Sequence, residues 1–462
     1  MSATAPQPHP VQHASRKAAR PLSVAVPLFF VALPAILFYT ITFRNLLNIP
    51  FCDDYDALLD FLNHFVTLNT ISAKAAYLLA AQHNEYKLLF GNSVALLQLA
   101  LFGHIDFRIL SVIGDGFIFL LAILLWKMFI PNCKDLATRL ALFIPISWLL
   151  FQLEYWETLN WPMASLQNTS ILFFSFATIY LLNKGSRPAF WAALIFFVIA
   201  VAASGNGFLL IPVAMLILIL NRQYLRIVPW LFASAACIAF YAYRYNINSS
   251  QVHQHHSIFS TFHPLAPAYV VAFIGSAAGL PFRILSLVLG TLLCVFFIWI
   301  GRRGYMRRNP LVSYCLLFLL LTAIGVAGLR SEFGLSQALS SRYTVYSALF
   351  IALAWFAVVE EFLPHSTGPL RLNLPFMAAT LLSISFSLYM DSIGAAGLKE
   401  RDNGMIQAMT AFEHQMTSGT TIWPAPLLVL PNPIEATNTF NQRIRPILNE
   451  SIKLGVYRPP PL

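Results

Sequence analysis

The feature that most constrains this chain is the recurrence of apolar runs of span length along nearly all of it. Each holds about 17–22 residues, enough to cross a bilayer core of about 30 Å as a helix. Only helices and closed barrels satisfy their own backbone polar groups in lipid, and runs this long fit helices. Composition agrees. Of 462 residues, 58% are hydrophobic and 10% charged, against about 25% charged in an average soluble domain. The expected fold class is an all-α polytopic membrane protein.

Hydropathy places eleven spans at about residues 22–43, 109–130, 138–153, 165–183, 188–204, 206–221, 227–243, 282–300, 310–328, 343–359 and 373–390. The first follows "RKAAR" and meets no small-residue cleavage site before the next polar loop. It reads as a retained span behind a disordered cytoplasmic tail of residues 1–21, not as a signal peptide. With the N-terminus inside, fifteen of the 29 Lys and Arg fall on inside connections, eight in outside loops and six in the C-terminal tail. The positive-inside rule then predicts N-in, C-out. Residues 22–390 form the transmembrane domain, 44–108 its first outer loop, and 391–462 a periplasmic tail. Leu88–Phe102 and Ala266–Leu280 are short and border polar outside segments, so they read as helices lying in the outer interface. If both cross, the count becomes thirteen. Five cysteines without paired spacing imply neither a disulfide framework nor a zinc site. The +10 net charge follows from topology and points to no nucleic acid.

Acidic residues are distributed differently. Outside the tail there are thirteen, and nine lie in outer loops. Orientation barely depends on Asp and Glu, so this asymmetry points to an outward-facing site. Four of them, Asp53, Asp54, Asp56 and Asp60, crowd into "NIPFCDDYDALLDFLNHF". On a helix starting near Asp53, positions 53, 56 and 60 share one face, while Leu58, Leu59, Leu62 and Phe65 line another. Adjacent carboxylates raise each other's pKa, and paired acids beside a membrane suit a general base or a divalent cation such as Mg or Mn.

The same loop carries His83, Glu85 and Lys87 in "AQHNEYKLLFGN", and the next outer loop adds Glu154 and Glu157 in "FQLEYWETLNWP". Asp53, Glu154 and Glu157 are the candidate metal ligands. Trp156 and Trp161 fit either an interfacial belt or a stacking surface for a sugar ring. Arg244, Arg330 and Arg342 sit near outer span ends. They either snorkel to headgroups or, converging with Lys87, hold a diphosphate or phosphodiester. The histidines His253, His255, His256 and His263 match no zinc spacing and read as a polar loop. Asp115 is a lone acid facing the bundle interior, and "SGNG" (Ser204–Gly207) is a tight turn between spans.

The order of first span, acidic pair, loop helices, second span and second acidic loop resembles the C-type membrane glycosyltransferases. These include protein O-mannosyltransferases, aminoarabinose transferases and oligosaccharyltransferase catalytic subunits. More narrowly, "DDYD", "HNEYK", "LFG", "SRYTVYS" and "GVYRPP" resemble poorly characterised bacterial members of that superfamily. Those members often carry His-Asn-Glu-His-Arg where this chain has His83–Lys87, so Tyr86 and Lys87 depart from the pattern. The resemblance implies a polyprenyl-phosphate sugar donor and an envelope glycan, lipid or protein acceptor, meeting on the periplasmic face of a bacterial inner membrane. It also implies Asp53 or Asp54 as base or metal ligand, and Arg342, with Lys87, on the leaving phosphate. The rival readings are a lipid or polysaccharide flippase, a polysaccharide polymerase or ligase, and a non-catalytic assembly protein. A flippase predicts internal repeats and mid-membrane polar groups, and here the spans carry little charge beyond Asp115.

Overall fold

A computed structural model describes residues 24–129, 135–246, 263–279, 283–362, 374–418 and 440–461. Within them the regular structure is helical, apart from two isolated bridges, His83 with Tyr86 and Ile105 with Tyr457. Helix α1 (Ala25–Arg44) leads to three short helices, α2 (Phe61–Thr67), α3 (Ile71–Ala80) and α4 (Leu89–Phe102). Then follow α5 (Phe107–Met128), α6 (Leu136–Leu150), α7 (Pro162–Lys184), α8 (Arg187–Ala203), α9 (Leu210–Leu220) and α10 (Ile227–Ala242). The remainder comprises α11 (Ala266–Ile274), α12 (Arg283–Arg302), α13 (Tyr305–Arg308), α14 (Pro310–Arg330), α15 (Ser341–Phe362), α16 (Leu374–Ser418) and α17 (Arg445–Lys453).

Local chemistry sets many of the boundaries. Asp106 and Asp135 accept backbone N–H groups at the starts of α5 and α6, and Ser186 does so at α8. Gly103 and Gly185, both left-handed, end α4 and α7. Nine helical stretches among the described residues are long and apolar enough to cross a membrane. The expected spans 188–204 and 206–221 are present as the shorter α8 and α9, of 17 and 11 residues. At the turn between them a Cβ on Gly207 would lie 2.5 Å from the Val201 nitrogen, so only glycine lets the chain press so closely on α8.

The bundle is built from long pairs, α5 along α7, α7 along α8 and α1 along α6. Its core includes Phe38, Leu125, Phe129, Leu172, Phe197, Leu319 and Phe356. Several buried hydroxyls bond to their own helix: Thr178 to the Phe174 carbonyl at 2.8 Å and Thr322 to that of Phe318 at 2.9 Å.

Two expectations change. The segment 266–280 is more than a surface helix, because α11 is buried through Tyr269, Ala272, Phe273 and Ile274 against α12, α14 and α15. Nor is there a helix break at 391. Helix α16 runs for 45 residues, which at about 1.5 Å each is roughly twice a bilayer core of about 30 Å. Its distal half, with Met405, Met409 and Phe412, joins a second core containing Tyr55, Leu58, Leu59, Leu62, Ile105, Phe107, Leu448 and Tyr457. The first outer loop and the tail therefore make one layer. Asn48 joins them by accepting from the Phe107 N–H at 2.9 Å and donating to the Arg458 carbonyl at 3.0 Å. Tyr457 of "GVYRPP" donates to the Asn48 carbonyl at 2.7 Å.

Candidate functional site

The acidic stretch opens on a left-handed Cys52 (φ 48°) and forms a π-helical turn over Tyr55–Asp60 before α2. The two expected faces are met in part: Leu58, Leu59 and Leu62 are buried and Phe65 half-buried, and Asp56 and Asp60 face a cavity that Asp53 does not line. The two adjacent acids diverge. Asp54 is 0% exposed, and its two oxygens accept the N–H groups of Phe51 at 3.0 Å and Met163 at 2.9 Å. Burial pushes its carboxyl up to about 8. Asp54 thus ties the loop to the start of α7, and its expected catalytic role is corrected to an anchoring one.

Asp53 keeps 34% of its side chain exposed and lies 3.4 Å from His83 Nε2. Burial raises its carboxyl, but His83 and then Arg342 outweigh that, leaving it below the usual value. It is therefore ionised at neutral pH and able to accept a proton. Asp56 pairs with Arg443 of the tail at 2.8 Å, although burial still holds its carboxyl above the usual value.

A tight turn partitions the surface beside Asp53. His83 and Tyr86 exchange backbone hydrogen bonds of 2.9 and 3.0 Å around a left-handed Asn84. Gln82 and His83 face a cavity of about 310 Å³ that also presents Asp56, Asp60, Asn92 and Arg244. Glu85 and Tyr86 face a second, of about 370 Å³, lined by Arg330, Arg342, four more tyrosines and apolar groups of α14 such as Val326 and Leu329.

The cations do not all gather where the sequence suggested. Arg330 and Arg342 share the larger cavity, whereas Arg244 lines the smaller one. Arg330 is engaged by Glu85 in a close ion pair. Arg342 makes no ion pair among the described residues. Its Nε donates to Ser340 at 3.2 Å, and its backbone N–H reaches Glu157 at 3.4 Å. Lys87 requires a correction. It is 0% exposed, with Nζ donating to the Leu79 carbonyl at 2.9 Å and to that of Tyr243, beside the Phe240 ring. It clasps the loop to the end of α10 and cannot reach a phosphate.

The expected metal set is also not assembled. Glu154 is fully buried and meets Gln152 at 3.3 Å, in a turn packed on α15 and α16. Glu157 accepts from Ser340 at 2.8 Å and so fixes the start of α15. No group of three or more His, Cys, Asp or Glu among the described residues is arranged to hold a metal ion. Of the histidine loop, His253, His255 and His256 lie outside the described residues, and His263 accepts from the Leu265 N–H at 3.3 Å.

Several residues escaped the sequence reading. Tyr241 and Tyr245 of "YAYRY", and Tyr343 and Tyr346 of "SRYTVYS", line the larger cavity with Gln167 and Asn168. The signal was available, since helix-spaced tyrosines and a polar "LQN" within an apolar span mark a lined cavity. Arg401 gave no such signal. Assigned to the tail, it is buried in the layer beneath Asp54, 3.9 Å from Asp402 and donating to the Trp156 carbonyl at 3.3 Å. Asp115 accepts the Asn160 N–H at 3.3 Å, while Asn160 donates to the Thr42 and Asn45 carbonyls. That knot locks the second acidic loop onto α1 and α5. Comparison with protein-family models, curated proteins and solved structures returns no match.

Proposed function

We propose that this protein is a membrane glycosyltransferase that moves a sugar from a polyprenyl-phosphate donor to a hydroxyl of a cell-envelope acceptor, on the periplasmic face of a bacterial inner membrane. The observation that carries this reading is that the Asp53–His83 pair and Arg342 serve two cavities parted by the His83–Tyr86 turn. Asp53 and Arg342 are far apart in sequence, yet Arg342 helps to hold the Asp53 carboxyl down. Arg342 lines the larger cavity, and Asp53 touches His83, which lines the smaller.

The chemistry follows from that arrangement. A lipid-linked phosphate enters the larger cavity past the apolar face of α14 and meets the guanidinium of Arg342, which has no ion pair among the described residues, with Arg330 behind it. Asp53 takes the proton of the acceptor hydroxyl as that oxygen bonds to the anomeric carbon. The bond from anomeric carbon to phosphate oxygen breaks, the polyprenyl phosphate leaves with the electron pair, and Arg342 neutralises the charge that develops. Two acids would be needed for covalent catalysis, and Asp54 is committed elsewhere, which favours a single displacement with one base. A flippase is less well supported, because Asp115, the acid within a span, is bonded into a static turn.

The test is mass spectrometry of envelope glycans from a deletion strain carrying wild type, Asp53→Asn or no gene, at matched membrane levels of protein. The expected result is loss of one sugar in the deletion, restored by wild type alone. Full restoration by Asp53→Asn would overturn the assignment of the base, and an unchanged glycan profile in the deletion would overturn the transferase reading.

A further inference from the structure

The smaller cavity is absorbed by neither the donor nor the leaving group, and its lining is chemically selective. Its floor is aromatic: Phe61 and Tyr77 stack with centroids 5.3 Å apart and an interplanar angle of 9°. Around that floor stand Asp60, Gln82, Asn92 and Arg244, a mixture of acceptors and donors. Asn92 is the telling member. It is 2% exposed and its Oδ1 has no hydrogen-bond partner among the described residues, a cost that a buried polar group normally avoids. It lines the cavity as an unused acceptor for an incoming O–H.

We infer that this cavity is the acceptor subsite and that it takes a pyranose, so that the acceptor is a glycan. The inference rests on the transferase reading above for its role, but not for the binding itself. A pyranose offers C–H groups to an aromatic face and hydroxyls around its edge, which is the distribution of apolar and polar groups found here. The volume of about 310 Å³ is at the lower end of small-molecule pockets, which run about 300–1,000 Å³. A peptide would look for unpaired backbone groups, but along this wall Gln82 and the backbone of Asn246 already pair in both directions at 2.9 Å. An acyl chain would need an apolar slot, and Asp56, Asp60 and Arg244 break one up. The position suits the reaction as well. His83 lines the cavity and touches Asp53 at 3.4 Å, so a sugar hydroxyl bonded to His83 stands one side chain from the base.

The experiment is saturation-transfer NMR on the full chain in nanodiscs. The probes are methyl pyranosides of the gluco, galacto and manno series with their 2-amino and 2-acetamido forms, alongside glycerol phosphate and a short neutral peptide. At least one pyranoside should receive saturation. Asn92→Ala and Tyr77→Ala should each weaken it about tenfold, the loss expected for one buried contact, and Tyr77→Phe should retain it. Arg342→Gln, in the other cavity, should leave it unchanged in nanodiscs that remain monodisperse. No pyranoside signal, a signal only from glycerol phosphate or peptide, or a pyranoside signal insensitive to both cavity variants would each overturn the inference. Saccharide binding that persists while the deletion strain's glycans are unchanged would sink the transferase reading and leave the sugar site standing.

Discussion

The span bundle and the outer layer are both helical and both well buried, but they are held together by different means. In the bundle, apolar side chains fill the space, and the buried hydroxyls donate to backbone carbonyls, some of their own helix (Thr178, Thr322) and some of a neighbour (Ser147 to Val31, Ser347 to Ile274), without carboxylates or ion pairs among them. In the outer layer, polar groups reach across hundreds of residues: Asn48 to Arg458, Asn63 to the Ile447 carbonyl, Asp54 to Met163 and Asp56 to Arg443. The difference follows from the solvent. In lipid, apolar helices gain no hydrophobic drive to associate, so packing and single donor-to-carbonyl bonds locate them, whereas the layer of loop and tail gains its uniqueness from carboxylate and amide groups that must be satisfied. The candidate site lies on the seam, with Arg330 and Arg342 at bundle helix ends and Asp53 and His83 in the layer.

Four substitutions would sharpen or break this contrast. The largest effect is expected at the seam itself. Asp53→Asn should lower transfer by about 10²–10⁴-fold, as for loss of a general base, with the unfolding temperature in nanodiscs unchanged. A fall in that temperature would make Asp53 a structural member of the layer. Next is Asn48→Ala, which orphans the buried Phe107 N–H and the Arg458 carbonyl contact and should cost about 2–3 kcal/mol in thermal or denaturant unfolding. Thr322→Val in the bundle removes only a bond to its own helix and should cost less than about 1 kcal/mol. If the two cost the same, the contrast fails. Smallest is Arg443→Ala. Its pair with Asp56 leaves the guanidinium 60% exposed, so the loss should stay below about 1 kcal/mol and shrink further in high salt.

Asp54 supplies a pH-dependent probe of the same layer. Its folded carboxyl is raised from 3.8 to about 8, so between those values the folded chain holds a proton that the unfolded chain has released. The group's contribution is therefore constant below about pH 4, falls as pH rises towards about 8, and is level above that. Unfolding temperature should follow this slope in wild type, and Asp54→Asn, which cannot ionise, should flatten it. An identical slope in the variant would assign the titration to another group.

How much of this was legible depended on the range of the interaction. The eleven apolar runs all fall on helices, because span hydrophobicity is a local property and a helix satisfies its own backbone. The alternation around Asp56 and Leu59 correctly separated a wet face from a buried one. Adjacency misled the reading of Asp53 and Asp54. Neighbouring residues on a helix point about 100° apart, so one carboxylate stayed partly exposed beside His83 and the other was drawn under the start of α7. Lys87 and Glu154 misled for a related reason, since polarity in a loop says nothing about which carbonyl or packed turn will enclose it.

By itself, then, the sequence determined the helical membrane architecture, the gathering of acids in a few loops and the segments from which a site would be drawn, since all three rest on composition and short-range periodicity. Only the tertiary structure decided that Arg342 lines the larger cavity without an ion pair among the described residues, while Arg244 lines the other and Lys87 is buried on backbone carbonyls. It alone decided that the tail is a wall of the first loop, and that one turn at His83–Tyr86 divides two cavities. Those outcomes depend on which distant surfaces pack and which buried polar groups find partners, and that is settled by the closing of the whole chain rather than by any window along it.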